Sequence, residues 1–456
     1  MNTGSIQVKD LKDQQTQQIT KNWLLLGLTA LSISSIFALI LVILRTPFLD
    51  IFFPESDFFH TALILHVNYA VVIWFLAFAS AIWSFSSSNK LISLANTSVK
   101  ISSVGSMLML LAALFTPSEP IPNNYLPVLK APLFFTGLLL FSLGILLMAL
   151  RTILINIAKK SIKIDQSVAM ITSAFSLIIA MLIMGHAYLL LTGDERGHDY
   201  FESLFWGGGH MLQFTHTILM LSVWLSLSKE IGGRLFWRSR TYGYWFILGF
   251  LPVLLSLWIL PINSPDSLEY RLFFTNLMVY GTWLPVPAIA GGIILNWWQK
   301  NNRPTLPNNN QADGIPLAIS IFLFCLGIFV GTMIEGDSVI VTAHYHGTVG
   351  AITLAYMGWT YYILPRLGFN ISLLKLVRLQ PRIYGTGMFF LIIGLAWSGL
   401  HGTPRKTTWG EQLTATLPEK GGMILMGMGG LIALSASFLF LYIAFKTIYN
   451  PMDNIQ

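Results

Sequence analysis

Charge is what this sequence has least of. Only 10% of its 456 residues are Asp, Glu, Lys or Arg, while 54% are hydrophobic and the mean hydropathy is +0.66. A soluble domain of that length needs a polar surface that this chain does not have, so a water-exposed globule is excluded and lipid is its expected solvent. Cysteine is almost absent. The single Cys325 excludes disulfides and any Cys-based metal cluster or covalent haem attachment. No repeat of fixed period recurs, which sets aside solenoid and propeller architectures, and no stretch separates as a second domain.

Long apolar runs are what the sequence has instead. A helix needs about 20 apolar residues to cross a bilayer, and runs of that kind lie near 23–44, 58–84, 97–116, 132–157, 166–192, 203–228, 242–260, 272–295, 315–334, 339–364, 383–399 and 422–445. The expected fold is therefore all-α, a polytopic integral membrane bundle of about twelve transmembrane helices. Residues 1–22 read as a polar cytoplasmic arm, 23–447 as a single membrane domain and 448–456 as a cytoplasmic tail. With an even number of spans both termini share a side. Of the 27 Lys and Arg, twenty fall in the arm, the tail and the loops on that side, and seven on the other. This puts both termini in the cytoplasm, across a cytoplasmic membrane of bacterial type. The +7 net charge is a topology signal, and nucleic acid is not an expected partner. The stretch from about 300 to 314, rich in Asn and Pro, fits an inner loop.

All nine histidines, His60, His66, His186, His198, His210, His216, His344, His346 and His401, fall in the outer loops or the outer parts of spans. Ionisable residues inside a bilayer are costly and mark function more often than packing, and nine at one level suggest a cofactor layer. The sharpest local feature is Ala343-His344-Tyr345-His346-Gly347. Two positions apart is about 200° around a helix, so His344 and His346 face opposite ways. They do not chelate one ion, but each can serve a different cofactor. His66 lies at a depth similar to His346, and two neutral imidazoles from facing helices suit a six-coordinate, low-spin haem. His60 and His66, six apart, face different directions, and His60 reads as a surface or propionate-side residue.

The run Asp337-Ser338-Val339-Ile340-Val341-Thr342-Ala343-His344-Tyr345-His346, with Gly350, Leu354 and Met357-Gly358 after it, resembles the tenth-helix motif of subunit I of the haem-copper oxidase superfamily, the catalytic subunit of cytochrome c oxidases and nitric oxide reductases. The resemblance implies that His344 holds the high-spin haem iron and that His66 and His346 hold the low-spin one. Trp206-Gly207-Gly208-Gly209-His210 is similar to the family segment that gives one ligand to a second metal. Gly402-Thr403-Pro404-Arg405-Lys406 is similar to a segment whose cations bind haem propionates, with Lys406 in the second place. Asn124-Tyr125-Leu126-Pro127-Val128-Leu129 also resembles a superfamily loop.

The departures are as informative. Oxygen-reducing members carry a His-His pair about 50 residues after the helix-6 histidine. Here that stretch reads Leu260-Pro261-Ile262-Asn263-Ser264, and no histidine lies between His216 and His344. Phe214 stands four after His210, where relatives place Tyr or Glu, and the eighth span, 272–295, carries no Lys for the common proton path. A second metal held by His210, with Asn263, Glu195, Glu202 or His186 in support, suits non-haem iron better than copper, or there is none.

The resemblance implies a membrane oxidoreductase: a respiratory terminal reductase subunit in which two haems of unspecified type carry electrons from the low-spin to the high-spin site to reduce O2 or NO. Electrons would come from a small donor subunit, a cytochrome or quinol. Two alternatives stand beside it, a nitric oxide reductase-type enzyme with non-haem iron and a non-catalytic haem-binding paralogue lacking the copper centre.

Overall fold

The computed structural model describes residues 3–49, 56–158, 164–192, 197–232, 235–281, 284–298, 314–412 and 415–449. Residues 300–313 of the Asn- and Pro-rich stretch expected as an inner loop, Glu195, and residues 450–456 of the expected C-terminal tail lie outside these residues. The described chain is almost wholly helical, as the apolar runs require: backbone polar groups in hydrocarbon must be satisfied within each segment.

The helices are α1 (Thr3–Arg45), α2 (Ser56–Val67), α3 (Trp74–Phe85), α4 (Ile92–Phe115), α5 (Pro132–Ile157), α6 (Ile164–Leu190), α7 (His198–Gly232), α8 (Ser239–Leu255), α9 (Leu268–Gly281), α10 (Pro285–Trp298), α11 (Ile315–Gly331), α12 (Val339–Ile363), α13 (Leu374–Leu400) and α14 (Leu417–Tyr449). Among the described residues ten segments are long and apolar enough to cross a membrane, and each overlaps an expected span. The ninth expected span, α11, is apolar but shorter, at 17 residues. The tenth, α12, is 25 residues long but is not one of the ten, because the histidines and small polar residues of its first half dilute its hydropathy. The residues expected as a polar arm continue the first span as one helix from Thr3.

Two compact units divide the chain. The first comprises 1–30, 67–222 and 235–296. In it α4 packs on α5 and α6 on α8, and a core of Ile179, Ile183, Met211, Phe214, Tyr270 and Phe274 joins α6, α7 and α9. A π-helical turn, Asn68–Ile73, links α2 to α3, and Asn68 Nδ2 donates to the Pro127 carbonyl at 2.7 Å. Pro127 is the last loop residue of the only sheet among the described residues, a hairpin of β1 (Glu119–Ile121) and β2 (Val128–Lys130) with Glu119 opposite Lys130. The hairpin loop, residues 122–127, carries Tyr125.

The second unit comprises 31–66, 223–234 and 297–456. Here α13 lies along α14, and α11 along α12. The α11–α12 approach has a specific cause. A Cβ on Gly327 would come within 2.6 Å of the Thr348 amide nitrogen, and one on Gly347 would collide with Gly327 Cα. Only glycine at both positions lets the two backbones meet, as small residues do between membrane helices.

Candidate functional site

The second unit holds three of the predicted haem ligands, and each is oriented through Nδ1. On α12, His344 Nδ1 lies 2.8 Å from the Gly327 carbonyl of α11, and His346 Nδ1 lies 2.8 Å from the Thr342 carbonyl one turn back on its own helix. On α2, His66 Nδ1 lies 3.1 Å from the Ser34 carbonyl of α1. Ser34 Oγ donates to the His66 carbonyl, so it too accepts from Nδ1, at 3.0 Å. A carbonyl oxygen only accepts, so each ring carries its proton on Nδ1 and presents an unprotonated Nε2. None of the three Nε2 atoms has a hydrogen-bond partner among the described residues. This is the state a metal-binding imidazole needs, with the outer nitrogen fixed by a carbonyl and the inner lone pair available.

The expected opposite facing of His344 and His346 is also seen. His344 is turned to α11, where a Cβ on Gly331 would stand 2.5 Å from Nδ1. His346 is not turned to α11: its Nδ1 is held by the Thr342 carbonyl of its own helix. The Tyr345 ring stacks beside it, with centroids 5.1 Å apart. The residues therefore fit a bis-imidazole haem at His66 and His346 and a singly ligated haem at His344.

The Pro-Arg-Lys segment is stapled to this site. The Val339 amide donates to the Thr403 carbonyl at 3.1 Å, and the Trp409 amide to the Leu44 carbonyl at 3.0 Å. Ser338 and Pro404 form an isolated bridge, and Arg45 Nη2 donates to the Pro404 carbonyl at 3.1 Å. The loop thus joins the end of α1 to the start of the helix that carries both histidines. Arg405, expected to meet a propionate, pairs through Nε with Asp337. Its Nη1 and Nη2 make no hydrogen bond among the described residues and remain for an anion. Lys406 takes the left-handed backbone region, φ 61°. Arg45, which follows the first apolar run, also belongs to this site: its Nε is buried without a partner among the described residues.

The first unit holds the predicted second-metal residues, and it does not bring them together as a donor set. His210 is buried, 3% exposed. Its Nδ1 donates to the Trp206 carbonyl at 2.7 Å, which leaves Nε2 as the lone pair. That lone pair faces the Tyr125 hydroxyl at 2.8 Å. Three aromatic rings surround the imidazole, with centroids at 4.7 Å for Tyr125, 5.1 Å for Trp206 and 6.3 Å for Phe274.

Asn263, expected as a further ligand, sits in the loop after α8. Its amide donates to the Ile259 carbonyl, and its side chain makes no hydrogen bond among the described residues. Both carboxylate oxygens of Glu202 accept from Asn124, one from the backbone amide at 3.0 Å and one from Nδ2. Trp206 Nε1 donates to the Arg271 carbonyl. His216 is buried against Phe75, with ring centroids 5.0 Å apart, and His186 Nδ1 has no hydrogen-bond partner among the described residues. No cluster of three or more His, Cys, Asp or Glu able to hold a metal ion occurs among the described residues. One imidazole enclosed by aromatic rings does not meet the three- or four-donor demand of a bound transition metal.

No protein-family model matches the chain. An uncharacterized protein of Rickettsia prowazekii (strain Madrid E) is 27% identical over 489 aligned positions, covering 94% of this chain and 95% of the relative. An uncharacterized protein of Aquifex aeolicus (strain VF5) is 28% identical over 81% of this chain and 90% of its own length. A heme-copper terminal oxidase solved by cryo-EM as a dimer superposes with a TM-score of 0.70, covering 96% of this chain and 84% of its own, at 17% identity. The fold is that of a heme-copper terminal oxidase chain. This bears out the expected all-α, polytopic membrane architecture.

Proposed function

We propose that this chain is the haem-bearing subunit of a respiratory terminal reductase, an oxidoreductase of the membrane. Two haems, when bound, supply one-electron transfer and the reductive binding of O2 or NO. The observation that carries the reading is the shared state of His66, His344 and His346: Nδ1–H held by a carbonyl and Nε2 left without a partner. His66 and His346 hold the low-spin haem, and His344 holds the high-spin haem on the opposite face of α12. Arg405 and Lys406 sit at the start of that helix, where their charge stabilises propionates. The fold of the terminal oxidase supports the same reading, as does a membrane bundle able to keep a redox site dry. Electrons come from a donor subunit, a cytochrome or quinol, with both termini of the chain in the cytoplasm and the haem ligands toward the outer face.

The test is the optical spectrum of the purified protein. Reduction by dithionite gives a sharp α band from the bis-imidazole haem, and carbon monoxide shifts a second, five-coordinate haem. A protein with no haem in either state sinks the proposal.

A second reading has one observation in its favour. The hydrogen-bonded, aromatic surroundings of His210 suit a haem-binding paralogue that passes electrons without a metal-assisted reduction, and not a nitric oxide reductase-type site with non-haem iron. Turnover with O2 or NO decides between reductase and paralogue.

A further inference from the structure

We propose that His210 is the acceptor half of a Tyr125–His210 pair, a site that holds an exchangeable proton on the Tyr125 hydroxyl, and that it is not a metal ligand. The chain's own donors fix this arrangement, and it holds whether or not the haem reading is right.

The argument starts at α7. The Trp206 carbonyl takes the Nδ1 proton of His210, so Nε2 must accept, and the Tyr125 hydroxyl is its donor. A metal would need the same lone pair. It would therefore have to displace the phenol from the Nε2 lone pair that it faces.

The phenol is not placed by chance. The hairpin loop is braced on three sides. Asn123 Oδ1 accepts from the Tyr125 amide at 3.0 Å and from the Leu126 amide at 2.8 Å. Glu202, two turns before His210 on α7, accepts from both nitrogens of Asn124. Asn68 holds the Pro127 carbonyl from the π turn. The fourth element is Gly209. A Cβ there would come within 2.6 Å of Tyr125 Cβ, so glycine beside the histidine is what admits the ring. Trp206 closes the other side, edge-on to Tyr125 with centroids 5.5 Å apart. Residues on α7 at positions 202, 206, 209 and 210 thus all serve the same phenol. Glu202 and Gly209 are positioning residues, and among the described residues no group of three or more His, Cys, Asp or Glu that could hold a metal ion includes the imidazole.

The test uses the full-length purified protein and two readouts. The first is non-haem metal content, measured separately after incubation with Cu(I) and with Fe(II), with haem iron determined independently and subtracted. The proposal expects no stoichiometric metal in the wild type and no change in His210→Gln. The second is a thermal double-mutant cycle of Tyr125→Phe and His210→Gln. Each single variant is expected to lower the unfolding temperature, and the double variant to fall no further than the worse single one. Stoichiometric copper or iron that is lost in His210→Gln overturns the proposal. So do additive losses, or Tyr125→Phe without any loss. If His210→Gln does not fold, the wild-type metal content and Tyr125→Phe still decide.

Discussion

The carbonyl of Gly327 on α11 receives the Nδ1 proton of His344 on α12 at 2.8 Å, and it does so because glycines at 327 and 347 let the two helices touch at the backbone. Orientation of the proposed high-spin ligand is therefore set by a neighbouring helix, and that of His346 by its own.

Gly331→Ala follows directly. The new methyl would sit 2.5 Å from His344 Nδ1, and over-packing of this kind costs about 1–3 kcal/mol. The imidazole is expected to swing away, with loss of most of the carbon monoxide-reactive haem. The low-spin α band should persist. Equal loss of both signals would show that the two histidines are not independently held.

His66→Ala and His346→Ala are each expected to abolish the low-spin band and to leave carbon monoxide-reactive haem at least partly intact. Difference spectra of the two variants check this. Loss of only the carbon monoxide-reactive haem in His346→Ala would reverse the assignment of His344 and His346.

Arg405→Ala separates two roles. The Asp337 pair is exposed on the carboxylate side, 72% against 13% for the arginine, so its loss costs at most about 1 kcal/mol of stability. Asp337→Asn should reproduce that small loss and leave the haem potentials unchanged. Arg405→Ala should in addition lower a haem midpoint potential or weaken haem retention, because a propionate loses a cation. Identical behaviour of the two variants in redox titration would leave Arg405 with no role beyond the loop.

Arg151 gives a stability prediction away from the haem site. Its guanidinium, 1% exposed, donates to the carbonyls of Ser88, Lys90 and Leu91, closing the loop between α3 and α4 where Leu91 takes φ 53°. Arg151→Met strands those carbonyls and is expected to cost about 3 kcal/mol. Thermal unfolding in detergent measures it, and an unchanged midpoint would remove the guanidinium from the account of this loop.

Much of the fold was legible because length and hydropathy are enough to find a bilayer span. All twelve expected spans coincide with helices, although α12 is diluted by the very histidines that mark it. The facing of His344 and His346 was legible too, since helical periodicity alone sets them apart. Four things were not. The Gly327 carbonyl and the Ser34 contact to His66 are tertiary pairings, to which a single sequence gives no clue. Arg45 was hidden at a helix end. Asn263 was expected at His210 from its count along the chain; its backbone amide pairs with the Ile259 carbonyl, and it is the Tyr125 hydroxyl that stands at Nε2. Tyr125 was visible only as part of a family-like tract, because a hairpin loop 85 residues away carries no periodicity that points to α7.

The most direct test of the central claim is a haem count on the purified chain, with the reduced and carbon monoxide-treated spectra recorded on the same sample. Two haems per chain are expected, one six-coordinate and inert to carbon monoxide and one that binds it. One haem or none, or two haems that respond alike to carbon monoxide, would contradict the assignment of His66, His344 and His346.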